Sequence, residues 1–109
     1  MEGKLLREVV EDTGISRRAI QGYEKEGLVH ATGKTKMGYL LYDDKSIERI
    51  KLIRMYQEIG FRVKDIGKII DATDDMKKKV LRERLECLKL KRDKMEQLII
   101  HVEQKIKEL

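Results

Sequence analysis

The chain of 109 residues has no proline, one cysteine and no long apolar run. Without proline nothing forces a helix to break, so long helices are expected wherever the apolar pattern supports them. A single cysteine excludes an intramolecular disulfide framework. Uninterrupted apolar runs of only a few residues fall far short of the length that spans a bilayer. The opening stretch, Met1 to Leu6, is too short for an export signal and carries Glu2. A soluble cytoplasmic protein with no membrane partner is the expectation.

Catalytic and metal-binding constellations are missing as well. The acids are scattered over helix faces, and no nucleophile–base pair or glycine-rich phosphate loop stands out. Cys87 has no second cysteine, and His30 and His101 are distant in sequence; one ligand per chain is too few for a closed metal site. No enzyme, cofactor or metal is expected, and Cys87 reads as an inert helix-surface thiol, with thiol-redox sensing as the alternative.

What is present is charge. Charged residues make up 41% of the chain against 40% apolar, with a net charge of +5 and a pI near 9.3. That composition suits one domain with a helical appendage and favours an anionic partner. The excess is not concentrated in one half. Residues 1–72 hold 14 Lys and Arg against 12 Asp and Glu, and residues 73–109 hold 11 against 8.

Gly14 to Gly27 is the stretch around which the rest is organised. Ser16 is a good N-cap and Gly27 a good helix stop. Between them Ala19, Ile20 and Tyr23 anchor one face and leave Arg17, Arg18 and Gln21 on the other. Upstream, Leu5, Leu6, Val9 and Val10 have helical spacing and supply a first helix ending near Gly14. Helix, turn and a second helix led by Ser-Arg-Arg is the layout of a helix-turn-helix, whose second helix offers its first residues to the major groove. Arg17 and Gln21 are four apart and share a face, whereas Arg18 is rotated about 100° from Arg17. One arginine faces bases and the other phosphate, in either order. A surface helical hairpin with a solvated face is the competing reading.

Leu28 to Tyr42 carries the strand character. Leu28-Val29 and Tyr39-Leu40-Leu41-Tyr42 flank a polar segment with Lys34, Lys36 and two glycines, a hairpin with a basic tip. Beside a helix-turn-helix this makes a wing, with Lys34 and Lys36 as phosphate contacts and Tyr39 as a hydroxyl donor or stacking plate. Asp43 or Asp44 then caps a third helix with Ile47, Ile50, Ile53 and either Leu52 or Tyr56 buried, ended by Gly60. A short fourth helix carries Ile66, Ile69 and Ile70. Arg62 and Lys64, in the loop between the two, are either a second phosphate contact or plain surface charges.

From Asp74 to Leu109 nothing breaks the helix. Leu81, Leu85, Leu88, Arg92, Met95, Ile99, Val102, Ile106 and Leu109 alternate at spacings of four and three, a heptad seam apolar everywhere but Arg92. A stripe that long needs another helix, and a second copy of the chain is the simplest partner. The expected fold is mainly α. A winged helix-turn-helix with a small β-hairpin wing and a second helix pair occupies residues 1–73, and a long coiled-coil dimerisation helix occupies 74–109.

In this order the motifs resemble the DNA-binding half of MerR-type bacterial transcription regulators. The matching residues are Thr13-Gly14-Ile15-Ser16, Tyr23-Glu24-Lys25-Glu26-Gly27-Leu28, Gly38-Tyr39 with Tyr42-Asp43, and Ile59-Gly60-Phe61. The resemblance implies a homodimer held by an antiparallel coiled coil on double-stranded promoter DNA in the bacterial nucleoid. Such regulators bend and untwist the promoter so that RNA polymerase can use it. The resemblance assigns DNA contacts to Ser16, Arg17, Arg18 and Tyr23 in the second helix and to Lys34, Lys36 and Tyr39 in the wing.

Two departures stand out. Gln21 and Gly22 occupy positions where the family has an arginine and an aromatic, and Leu40 stands where an arginine usually follows Gly-Tyr. Gln21 retains a donor and an acceptor suited to adenine, while Gly22 in mid-helix costs about 1 kcal/mol against alanine. The sequence stops at the end of the long helix, where the family usually continues into an effector domain, through either natural shortness or truncation. Two other functions fit the same pattern: a winged-helix architectural or recombination accessory protein, and a coiled-coil interaction module whose basic helix is merely solvated.

Overall fold

The computed structural model describes residues 3–109. These form β1 (Lys4–Leu5), α1 (Leu6–Thr13), α2 (Arg17–Lys25), β2 (Gly33–Lys34), β3 (Leu40–Tyr42), α3 (Asp44–Glu58), α4 (Val63–Ile70) and α5 (Asp74–Glu108). Met1 and Glu2, which open the expected first domain and the stretch judged too short for an export signal, lie outside the described residues. The chain divides into two compact units, one ending at Asp71 and one running from Ala72 to Leu109.

Local chemistry sets the helix boundaries of the first unit. Ser16 is the N-cap of α2, its Oγ accepting the Ala19 N–H at 3.1 Å. At the other end Gly27 adopts φ 75°. The Leu28 N–H reaches the Tyr23 carbonyl at 3.0 Å and the Gly27 N–H that of Glu24 at 2.9 Å, the paired bonds of a Schellman stop. The same motif ends α3 at Gly60, where Phe61 N–H bonds the Tyr56 carbonyl at 3.1 Å. The apolar contact that accompanies such a stop is present too: the Tyr56 and Phe61 rings meet edge-on, 6.1 Å between centroids. Asp43, rather than Asp44, caps α3 by accepting the Ser46 N–H at 2.8 Å.

The core of this unit joins Val9, Ile15, Ile20, Tyr23, Leu28, Val29, Leu41 and Tyr42 to the isoleucine stripes of α3 and α4. Tyr56 completes the α3 stripe, and Leu52 is exposed. Arg49 ties the periphery together: Nε donates to the Leu28 carbonyl, while Nη1 and Nη2 grip Asp71 at 2.9 and 2.8 Å. Bidentate pairing of this kind fixes orientation as well as charge.

Three expectations change. Leu5 is not helical; it lies in β1, an edge strand paired antiparallel with β3 through Lys4–Tyr42 and Leu5–Leu41, and the sheet order is β1-β3-β2. Two residues give no alternation from which a strand could be read. Leu28 and Val29 are not the first arm of the hairpin. That arm is Gly33–Lys34, paired with Leu41 and Leu40, while Leu28 and Val29 are buried core residues. Lys64 lies in the first turn of α4 rather than in a loop, and Arg62 is that helix's N-cap.

The second unit is α5. Thr73 caps it, Oγ1 accepting the Met76 N–H at 3.2 Å, and Asp74 and Asp75 oppose the positive end of its dipole. Its 35 residues extend about 50 Å at 1.5 Å per residue. None of them is buried.

Gly22 sits inside α2, and a Cβ built there would meet nothing within 4 Å. Among the described residues no close approach compensates its backbone entropy. Gly22→Ala is expected to stabilise the fold by about 0.5–1 kcal/mol, seen as a higher urea midpoint at unchanged slope. A lower midpoint would show that the position needs glycine.

Candidate nucleic-acid interface

Helix α2 is amphipathic around a fully used underside. Ile20 and Tyr23 are 0% and 1% exposed, and the Tyr23 hydroxyl donates to Gln57 Oε1 at 2.7 Å, bolting α2 onto α3. Gln57 Oε1 also accepts from Arg54 at 3.3 Å. The opposite face carries Arg17, Arg18 and Gln21, all exposed. Among the described residues no hydrogen bond or ion pair occupies those three side chains.

The amino-terminal end of α2 is electrostatically distinct. Each of α1, α3, α4 and α5 has an acid in its first turn, namely Glu8, Asp44, Asp65, and the Asp74–Asp75 pair. Helix α2 has none there; it has two arginines instead. The partial positive charge of its free N–H groups is left uncompensated and reinforced.

The wing is held at a fixed angle to this helix. Thr35 organises its tip: its N–H donates to the Tyr39 carbonyl at 2.8 Å, its carbonyl accepts from Gly38 at 2.9 Å, and its Oγ1 accepts from the Tyr39 N–H at 3.1 Å. Lys34, Lys36, Met37 and Tyr39 project outward. At the base of the wing Tyr42 is fully buried and donates its hydroxyl to Glu24 of α2. Burial, and then the Glu24 acceptor, push the Tyr42 phenol well above its ordinary value of 10.0, against a smaller opposite pull from Arg17.

Between α2 and the wing lies an open cleft of about 560 Å³, lined by Arg17, Gln21, Gly38, Tyr39 and Leu40 with Leu5, Leu6 and Arg7. Arg17 and Gln21 thus share a surface with Tyr39, whereas Arg18 is not part of the cleft lining. Ser16 is exposed, its acceptor used in the cap. Arg62 is exposed but pairs with Asp65 at 3.3 Å, and Lys64 is exposed on α4.

Tyr23 is corrected. At 1% exposure, with its hydroxyl spent on Gln57, it is a packing residue of α2 and offers no surface to DNA. Arg7 was not singled out by sequence reasoning. The apolar positions Leu6, Val9 and Val10 already implied that it points outward, but its position in the cleft depends on the fold. In α5 the apolar seam side chains from Leu85 onward remain accessible, from Leu88 at 38% to Leu109 at 100%, and Leu81 is half-buried. Cys87 is exposed. Among the described residues, no group of acids, histidines and cysteines could hold a metal, and no helix is long and apolar enough to cross a membrane.

A helix-turn-helix with a β-hairpin wing and an outward face of arginines defines a winged helix-turn-helix module. The chain belongs to the MerR family: residues 6–73 match the MerR HTH family regulatory proteins, and residues 47–109 match the domain described as MerR, DNA binding. It is 32% identical over 94 residues to the HTH-type transcriptional activator mta of Bacillus subtilis (strain 168), an alignment covering 86% of this chain and 37% of that protein. It is 29% identical over 70 residues to the HTH-type transcriptional regulator CueR of Salmonella typhi, covering 64% and 51%. The chain therefore spans between about a third and a half of the length of these relatives.

The crystal structure of MtaN, the amino-terminal part of the Bacillus subtilis multidrug transporter activator, superposes with a TM-score of 0.74 at 29% identity, covering 94% of this chain and 97% of that one. HiNmlR, a MerR family regulator lacking the sensor domain and bound to promoter DNA, shares the fold with a TM-score of 0.72 at 19% identity, covering 95% and 87%.

The buried Tyr42 phenol gives the fold an alkaline limit. Its raised pKa means that the folded state keeps a proton the unfolded chain loses. The stability this contributes is complete below about pH 10 and is lost as pH rises from there towards the folded value, at about 1.4 kcal/mol per pH unit. Tyr42→Phe should flatten that part of the stability profile, measured by urea unfolding from pH 8 to 11. A profile parallel to wild type would mean that Tyr42 titrates normally.

Proposed function

We propose that the chain binds double-stranded promoter DNA sequence-specifically as a homodimer, distorts it, and so regulates transcription, with RNA polymerase as the downstream partner and the bacterial cytoplasm as its location. The observation that carries this reading is the amino-terminal turn of α2. It is the one helix start among the described residues with no acid, and among those residues no hydrogen bond or ion pair engages the side chains of Arg17, Arg18 and Gln21 on it. Membership of the MerR family and the promoter-bound state of one fold neighbour support the same reading.

In this reading α2 enters the major groove by its first turns. Arg17 and Gln21 read base edges beside the cleft; arginine–guanine and glutamine–adenine pairs each discriminate by about 1–3 kcal/mol. Arg18, turned away from the cleft, grips phosphate together with the Ser16 hydroxyl. Lys34, Lys36 and Tyr39 of the wing contact the backbone alongside, and Lys64, with Arg62 once it exchanges its Asp65 partner for DNA, provides a further phosphate contact. The seam of α5 pairs two chains in an antiparallel coiled coil, so that two recognition helices address a pseudo-palindromic site.

Binding should be strongly ionic. A dimer neutralising roughly 6–10 phosphates loses about 10³–10⁵-fold in affinity between 50 and 200 mM salt. Lys34→Ala and Lys36→Ala should weaken binding to every sequence alike and flatten that slope in a filter-binding or anisotropy titration. A slope near zero would remove the DNA reading.

Replacing Leu88 and Ile99 together by Asp should leave the first unit folded and give monomers with much weaker operator binding. Sedimentation that still reports a dimer would put the interface elsewhere.

A further inference from the structure

The α5 seam puts Leu85, Arg92, Ile99 and Ile106 at heptad position a and Leu81, Leu88, Met95 and Val102 at d. One residue past each d, the e positions are Arg82, Lys89, Glu96 and Glu103. Two cations come first and two anions follow. All four are exposed, and the ion pair that engages one of them is the 3.6 Å contact from Lys89 to Glu86.

We propose that this segregation encodes the register in which two copies of α5 pair. Arg82 lies beside the partner's Glu103, and Lys89 beside the partner's Glu96. The inference rests on the homodimer proposed above and specifies its surface.

When one of two paired helices is reversed, a layers meet d layers and each e position faces an e position of the other chain. In the proposed register the two e pairs each occur twice by symmetry, giving four attractive contacts. Leu85 then packs on the partner's Val102 and Leu88 on the partner's Ile99, so the apolar seam is covered. Arg92 falls on the central layers against the partner's Met95. Its aliphatic stem can lie on the thioether while its guanidinium reaches solvent beside the partner's Glu96.

The alternatives are worse. Sliding by one heptad sets Lys89 against the partner's Lys89, or Glu96 against the partner's Glu96, depending on direction. A parallel pair stacks Arg92 on the partner's Arg92 in a single buried layer. On the g flank the proposed register brings Arg84 towards the partner's Lys105, an unfavourable contact occurring twice. Arg84 is half-buried and already partnered within the chain, and the e flank outweighs it.

Charge reversal at matched and mismatched positions tests the register, read by sedimentation equilibrium of the full chain in low salt with helix content followed by circular dichroism. Lys89→Glu should weaken the dimer about tenfold, since an attractive pair turns repulsive at two symmetric places. Adding Glu96→Lys should restore it to within about threefold, which repair of the Glu86 contact within one helix cannot do. Arg82→Glu with Glu96→Lys matches only a register shifted by one heptad and should stay weaker than either single variant at unchanged helicity. A matched double variant no tighter than Lys89→Glu, or recovery by the mismatched one, overturns the register while leaving the dimer standing. A wild-type chain that remains monomeric overturns the dimer itself, and this pairing with it.

Discussion

Ile20 and Tyr23 have essentially no accessible surface, and that burial is the constraint on which the rest of the first unit depends. Two side chains on a nine-residue helix fix its rotation about its own axis. Once they point into α3, the Arg17, Arg18 and Gln21 face has no alternative but solvent or a ligand. Each buried isoleucine or tyrosine is worth about 1.5–3 kcal/mol of transfer free energy, far more than any exposed arginine contributes through a surface ion pair. Apolar packing therefore orients the cationic face. The Tyr23–Gln57 bond refines this by supplying the one polar atom of the buried face with a partner.

The wing depends on the same helix by a second route. Three short strands, none longer than Leu40–Tyr42, would be marginal as an isolated sheet. Tyr42 changes that, because its ring is core and its hydroxyl is bound by Glu24 of α2. The wing is thereby registered against α2 rather than against solvent, and Arg17 and Tyr39 border one cleft although they are far apart in sequence. The second unit obeys the opposite logic. Its apolar stripe has the right period and length but nothing in α5 is buried, so its contribution to stability is deferred to whatever pairs with it.

Helix ends were legible because their signals are local: Ser16, Asp43, Gly27 and Gly60 each act on N–H or carbonyl groups within a few residues. The isoleucine stripes were legible from period alone. Strands β1 and β2 were not, since two residues cannot show an alternation, and Leu28-Val29 imitated a strand while serving the core. Tyr23 was read both as an anchor and as a DNA contact, and only the three-dimensional neighbour Gln57 decides between them. The Arg49–Asp71 pair and the place of Arg7 in the cleft join residues across the fold. No spacing rule in the chain brings them together.

The modest charge excess of the first unit is turned into a local field by pairing elsewhere. Lys4 is matched by Asp12, Arg49 by Asp71, Arg54 by Glu58 and Arg62 by Asp65. Each of these pairs sums to nothing beyond a Debye length of about 8–10 Å. Among the described residues Arg17, Arg18, Lys34 and Lys36 belong to no such pair, and they stand on α2 and the wing, beside a helix start that lacks the acid its neighbours have. An anion approaching this side meets cations that no ion pair among the described residues engages, so little is lost in breaking existing contacts. That asymmetry lets a chain with nearly balanced charge present a positive face, and it explains why net charge and pI alone were weak guides to the partner. Leu40, at the wing position where a cation was expected, tightens the point. The cleft it lines is made basic by Arg7 and Arg17 from two different helices, so the charge belongs to the surface rather than to the motif.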